Sequence, residues 1–106
     1  MKLNLLLICS LGMSSSILEM KIREEAEKRG YDCKVHAISV QETSEYAGEQ
    51  YDAVLIAPQI VYLTKEIQKD IHQDTVLVNM AVTDYGMIKA DNILDATIQA
   101  IEEHKR

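Results

Sequence analysis

At 106 residues, the chain has room for one compact core and one task, not for a catalytic unit joined to a regulatory one. Hydrophobic residues form 47% of it and charged residues 26%, the balance of a soluble globular protein. No run reaches the roughly 18 apolar residues that could span a bilayer, so no membrane insertion is expected. A formal net charge of −6, with no basic cluster to offset it, argues against nucleic-acid partners and against attraction to an anionic membrane.

In chain order, residues 3–8 are apolar apart from Asn4, the pattern of a central parallel strand covered on both faces. Lys2 ahead of this run superficially suits a secretory signal. The run is too short, however, and it passes into a serine-rich turn and a charged helix with no small-residue cleavage site. The expected location is therefore the cytoplasm, where thiols stay reduced. Residues 14–29 carry Leu18, Ile22 and Ala26 at helical spacing, with Gly30 as the stop. Glu19 with Arg23, Glu24 with Lys28 and Glu25 with Arg29 mark the solvated face. Residues 32–38 alternate polar and apolar, as a strand nearer the sheet edge would. The polar connection 39–50 holds at most a short helix, residues 41–47. Residues 51–57 form a second buried strand and residues 75–78 a third run of the same kind. Between them, Ile60, Leu63, Ile67 and Ile71 give residues 59–71 a helical stripe. Ile93, Leu94, Thr97, Ile98 and Ile101 do the same for residues 90–104.

Strands alternating with helices predict one α/β domain over residues 1–106: a parallel sheet of about four strands joined by right-handed crossovers. Sites in such sheets lie at the carboxyl ends of the strands. Cys9, Pro58 and the stretch 80–85 each follow a strand and should meet on that edge.

Cys9 opens the loop Ser10, Leu11, Gly12, Met13, Ser14, Ser15 and Ser16. Gly12 frees the backbone, a serine can cap the helix, and successive N–H groups can turn inward around an anion. A helix N-terminus also favours a thiolate, the form that attacks phosphorus. Position alone leaves Cys9 open as a small core residue; the glycine and hydroxyls after it favour a nucleophile in a phosphate loop. Cys33, near the start of the second strand, is expected at the opposite edge, out of disulfide reach, as inert packing. The two cysteines show no zinc or C-x-x-C spacing, and neither metal nor cofactor is expected.

A cysteine in a phosphate loop first suggests low-molecular-weight tyrosine phosphatases and arsenate reductases, with their C-x5-R pattern. Here the arginine position holds Ser15, and no Lys or Arg occurs from Cys9 to Met20. Without a guanidinium to clamp the transition state, hydrolysis is disfavoured; a phosphatase with an atypical loop stays as the alternative. The run C-S-L-G-M-S-S-S at residues 9–16, the later L-I-A-P-Q-I-V-Y at 55–62, the length and the inferred strand order together resemble the enzyme IIB component of the bacterial phosphoenolpyruvate-dependent sugar phosphotransferase system, lactose/cellobiose type. The resemblance spans essentially the whole chain, with Ser15 in place of the threonine of the family's C-x-x-G-M-S-T-S.

That resemblance implies a flavodoxin-like sheet with helices on both faces. It implies that Cys9 takes phosphate from a phosphohistidine on a IIA protein and gives it to a sugar, a disaccharide or β-glucoside, bound in the membrane-embedded IIC component. Ser10 to Ser16 would hold the phosphate by backbone amides. Pro58 and Gln59 should border the loop, Gln59 as a hydrogen-bond donor and Pro58 equally as a helix start. Asp84 and Tyr85 are possible neighbours, Asp84 more readily a solvated turn residue than a general acid. Leu11 and Met13 either face partners or pack inward. His36, His72 and His104 follow no strand at that edge and are not expected to carry phosphate. A monomer is expected.

Overall fold

The computed structural model describes residues 2–10, 15–46 and 49–104. Strands β1 (Lys2–Cys9), β2 (Asp32–Ser39), β3 (Ala53–Ile56) and β4 (Val76–Asn79) form one parallel sheet in the order β2-β1-β3-β4. β1 is central for a reason written in its sequence. Successive side chains of a strand point to opposite faces, and Leu5, Leu6, Leu7 and Ile8 are all fully buried, so both faces are covered. Val54, Leu55 and Ile56 repeat this in β3. β2 keeps Cys33, Val35 and Ile38 inside and leaves Asp32, Lys34 and His36 exposed, as befits an edge.

Among the described residues, α1 (Ser15–Lys28), α2 (Thr43–Tyr46), α3 (Thr64–Asp70), α4 (Val82–Gly86) and α5 (Ala90–His104) connect or flank the strands. From β1 the chain steps outward to β2, then crosses back over β1 to β3 and continues to β4. Right-handed crossovers in these opposite directions put α1 on one face and α2 with α3 on the other. α5 returns to the face of α1: Arg29 Nη1 meets Asp95 Oδ1 at 2.6 Å, and Nη2 donates to the Asp91 carbonyl at 3.2 Å. Leu18, Ile22 and Ala26 are the buried stripe of α1, each apolar side chain of Leu or Ile size contributing about 1.5–3 kcal/mol.

The elements depart from the periodicity at their ends. The stripe expected as one helix over 59–71 is split: a 3-10 stretch, Pro58–Leu63, precedes α3, with Ile60 non-helical at φ −119°, ψ 18°. Pro58 opens the first piece, and Ile60 and Ile67 are buried from either side of the kink. The short helix expected over 41–47 is a 3-10 turn, Val40–Glu42, running into α2, where Thr43 Oγ1 donates to the Val40 carbonyl at 2.7 Å; residue 47 lies outside the described residues. α4 had no counterpart in the apolar pattern, because a five-residue helix is too short to show a period. His72 lies beyond the end of α3 in a turn, where its Nδ1 accepts from the Asp74 N–H at 3.2 Å. His104 closes α5, as the stripe over residues 90–104 predicts. Among the described residues no helix is long and apolar enough to cross a membrane.

Candidate functional site

The parallel register brings the ends of the strands into one row. Ile8 pairs with Ile56 and Ile56 with Asn79, while Cys9 pairs with Ser39. One residue further on, the Ala57 N–H donates to the Ile8 carbonyl and the Met80 N–H to the Ile56 carbonyl, both at 3.0 Å. Ser39, Cys9, Ala57 and Met80 therefore stand side by side on the carboxyl edge. Here β1 sends its connection toward β2 and β3 sends its own toward β4, so the two part and leave a crevice between them, the place where ligands bind in open α/β sheets. Cys9 ends the strand on one side of it; on the other Ala57, one strand spacing of about 4.8 Å away, leads into Pro58 and Gln59.

Cys9 is 1% exposed, and its thiol donates a weak hydrogen bond to the Ile38 carbonyl with Sγ 3.7 Å from the oxygen. α1 begins at Ser15, so its positive end belongs to the same edge, and Ser16 in its first turn is exposed. Leu11, Gly12, Met13, Ser14 and the side chain of Ser15 lie outside the described residues. The two described arginines are committed along α1: Arg23 to Glu19 at 3.6 Å, and Arg29 to Glu25 at 3.0 Å and to Asp95.

Pro58 is the first residue of the 3-10 stretch, where no N–H is needed, and Gln59 is exposed beside it. Asp84 and Tyr85 sit in α4, which follows β4, the strand two places from β1 in the sheet. Asp84 is no loose turn residue: its Oδ1 accepts from Asn92 Nδ2 at 3.2 Å, tying α4 to α5. Tyr85 is half-buried against the core. Cys33 pairs with Leu3 at the far end of β1, roughly 20 Å from Cys9 at about 3.3 Å per residue, beyond any disulfide. Burial pushes the Cys33 thiol up to about 11, which suits inert packing.

A recess at the amino edge, lined by Lys2, Asn4, Asp32, Lys34 and Asp52, is the opposite end of the sheet from the cysteine. It mixes both signs of charge, and Asp52 Oδ2 is engaged by the Asn4 N–H at 2.7 Å, so it is a poor anion site. What the pattern of residues did not disclose is the carboxyl rim. Among the described residues, the exposed large apolar side chains Ile17, Met20, Val61, Tyr62, Val82, Met87 and Ile88 all stand on the first turns of α1 or on the segments that follow β3 and β4. Apolar residues on short helices read as core from sequence, and only the fold separates the two.

Residues 4–96 match the family model described as PTS system, lactose/cellobiose-specific IIB subunit. The chain belongs to this family. The oligo-beta-mannoside-specific EIIB component of Bacillus subtilis (strain 168) is 37% identical over 84 residues, 78% of this chain and 81% of the relative. The galactose-specific EIIB component of Lactococcus lactis subsp. cremoris (strain MG1363) is 28% identical over 95 residues, 85% of this chain and 88% of the relative. Among solved structures, the cellobiose-specific IIB component of Borrelia burgdorferi superposes with a TM-score of 0.74 at 26% identity, covering 98% of this chain and 95% of the other. The lactose-specific IIB domain of Streptococcus pneumoniae does so with a TM-score of 0.70 at 20% identity, covering 91% and 98%, a likeness of fold. As a IIB subunit, the protein is a phosphotransferase component of sugar uptake and phosphorylation.

Proposed function

We propose that this IIB subunit is a cytoplasmic phosphoryl carrier, and that Cys9 carries the phosphoryl group between a IIA protein and a sugar held by a membrane IIC component. The observation that supports it is the position of Cys9: the last residue of the central strand, at the crevice where the two connections part and where α1 begins. In the first step the Cys9 thiolate attacks the phosphorus of a IIA phosphohistidine. The S–P bond forms as the N–P bond breaks, and the electron pair returns to the imidazole nitrogen, which takes a proton. In the second step a sugar hydroxyl attacks the same phosphorus and loses its proton, and the S–P bond breaks with its electron pair going to the sulfur.

Residues 10–16 would hold the phosphoryl oxygens through backbone amides and the dipole of α1. Gln59, exposed one strand away, would donate a further hydrogen bond. With Ser15 where a C-x5-R phosphatase has its arginine, the carrier lacks the clamp that speeds attack by water and keeps its phosphoryl group for the next protein. The sugar is a disaccharide or β-glucoside, and the carrier works as a monomer.

Incubating the protein with a phosphorylated lactose/cellobiose-type IIA protein and measuring intact mass tests this. One phosphoryl group should be added to wild type and to Cys33→Ser, and none to Cys9→Ser. A labelled Cys9→Ser protein, or a wild type that no such donor labels, overturns the assignment. Cys9-dependent release of phosphate from an aryl phosphate would favour the phosphatase instead.

A further inference from the structure

The sulfur of Cys9 leans toward β2. Its thiol donates to the Ile38 carbonyl with Sγ 3.7 Å from the oxygen, so the sulfur lies against the peptide that joins Ile38 to Ser39. Ser39 is also the register partner of Cys9. Directly paired residues of neighbouring parallel strands project on the same face of the sheet, with the strands about 4.8 Å apart. For this pair the face is that of α1. Cys33, three steps of alternation back along β2 from Ser39, lies within electrostatic reach of Arg23 and Glu27 of α1, whereas His36, on the other phase, packs against Tyr46 of α2 with ring centroids 4.8 Å apart. Ser39 therefore stands beside Cys9 on the face and at the edge where α1 begins.

Its hydroxyl has no part in holding the chain there. Ser39 precedes the 3-10 turn Val40–Glu42 in the extended conformation of an N-cap, φ −83° and ψ 160°, where a serine side chain ordinarily accepts from an N–H of the first turn. This one makes no such bond. The turn is closed instead by Thr43, whose Oγ1 donates to the Val40 carbonyl at 2.7 Å. We infer that Ser39 is a catalytic residue of this IIB subunit, its hydroxyl donating to the Cys9 sulfur whenever that sulfur is a thiolate. This rests on the relay reading above.

The chemistry of the sulfur calls for such a donor. A carbonyl oxygen suits a thiol, which has a proton to give, and repels a thiolate, which has none. In the relay the sulfur is a thiolate twice, as it attacks phosphorus and again as it leaves phosphorus for the sugar. At both points the Ile38 carbonyl loses its partner, while a hydroxyl on the adjacent strand can turn about its Cα–Cβ bond and donate. Hydrogen bonds to an ionised group are about twice as strong as neutral ones. The Ser39 proton stays on its oxygen in both steps, so the balance of the transfer is unchanged.

The test is alkylation of Cys9 by iodoacetamide as a function of pH, read by peptide mass in wild type, Ser39→Ala, Ser39→Val and Ser39→Thr, beside urea unfolding of the same proteins. Valine and threonine share one shape and differ in the hydroxyl. In Ser39→Ala and Ser39→Val the midpoint of the profile should rise by about one pH unit, the scale of one hydrogen bond to a charged group, with no fall in the plateau at high pH. Ser39→Thr should keep the wild-type midpoint. Single-turnover phosphorylation by a phosphorylated IIA protein should slow about tenfold in the first two variants and recover in Ser39→Thr. A role confined to packing would lower the urea midpoint or the plateau and leave the pH midpoint in place, which overturns the inference; so does a Ser39→Val protein that matches Ser39→Thr. If the pH midpoints separate as expected while no donor labels wild-type Cys9, the relay reading fails and the bond from hydroxyl to sulfur is supported.

Discussion

Replacing Gly30 by alanine measures what a left-handed helix end costs in this protein, free of packing. Gly30 has φ +81°, and a Cβ built on it meets nothing within 4 Å, so no neighbour has to move. The cost is then conformational, about 1–2 kcal/mol for a residue with a Cβ in this region. Alanine also restricts the unfolded chain, which returns about 0.4–1 kcal/mol. The net expectation is a loss of about 1 kcal/mol, or about 4–8 °C in the melting temperature of a domain of this size. Urea unfolding followed by far-ultraviolet circular dichroism should show a lower midpoint at unchanged slope. Labelling of Cys9 should be unaffected, since Gly30 follows the far end of α1. A Gly30→Ala protein as stable as wild type would mean that this fold absorbs left-handed backbone without penalty.

Two further outcomes follow from the groups around the core and the site. Burial raises the Cys33 thiol from 9.0 to about 11, so the unfolded chain releases that proton before the native one does. The stability this contributes is present below pH 9 and lost as pH climbs toward 11; Tyr51, raised by burial and its hydrogen bond to Glu49 from 10.0 to about 12, acts in the same direction at higher pH. Cys33→Ala should lose less stability than wild type between pH 8 and 10.5, by on the order of 1–2 kcal/mol, and equal losses in urea midpoints would refute the assignment. At the site, Ser15→Arg restores the C-x5-R spacing and should shorten the lifetime of phosphorylated Cys9 by about tenfold or more, read by intact mass over time; an unchanged lifetime would show that the missing arginine is not what protects the group from water.

Much of the sheet could be read from residues alone because burial on two faces and on one face leave different patterns. The unbroken apolar runs of β1 and β3 and the alternation of β2 correspond to central and edge places in the sheet. α1 and α5 were legible because fourteen or fifteen residues give a stripe time to repeat. The 59–71 helix was not, because Ile60, Leu63 and Ile67 keep their spacing across a kink that changes the backbone and not the buried row. Within the site, the order of elements was enough to put Cys9, Pro58, Gln59, Asp84 and Tyr85 after strands of one sheet, but following a strand says which edge a residue occupies and not how many strands separate it from the cysteine. The rim was hidden for a different reason: Val82, Met87 and Ile88 look like core until α4 is seen to lie outside it.

Asn4, the polar residue that interrupts the first apolar run, connects this fold to its site. Its N–H donates to Asp52 Oδ2 at 2.7 Å, its Nδ2 to the Gln50 carbonyl at 3.1 Å, and its own carbonyl accepts the Asp52 N–H at 2.8 Å. These bonds clamp the segment entering β3 to β1 at the amino end. Leu5 to Ile8 would pack almost as well one position along, because both faces of β1 are apolar and a slip exchanges one leucine-like face for the other. Hydrophobic burial therefore fixes the place of β1 in the sheet but not its register. The polar clamp supplies the register, and with it the row in which Cys9 stands beside Ala57. A slip of one residue would turn the thiol to the opposite face, away from the Ile38 carbonyl and the present crevice. The amino end of the sheet thus sets the geometry of the carboxyl end.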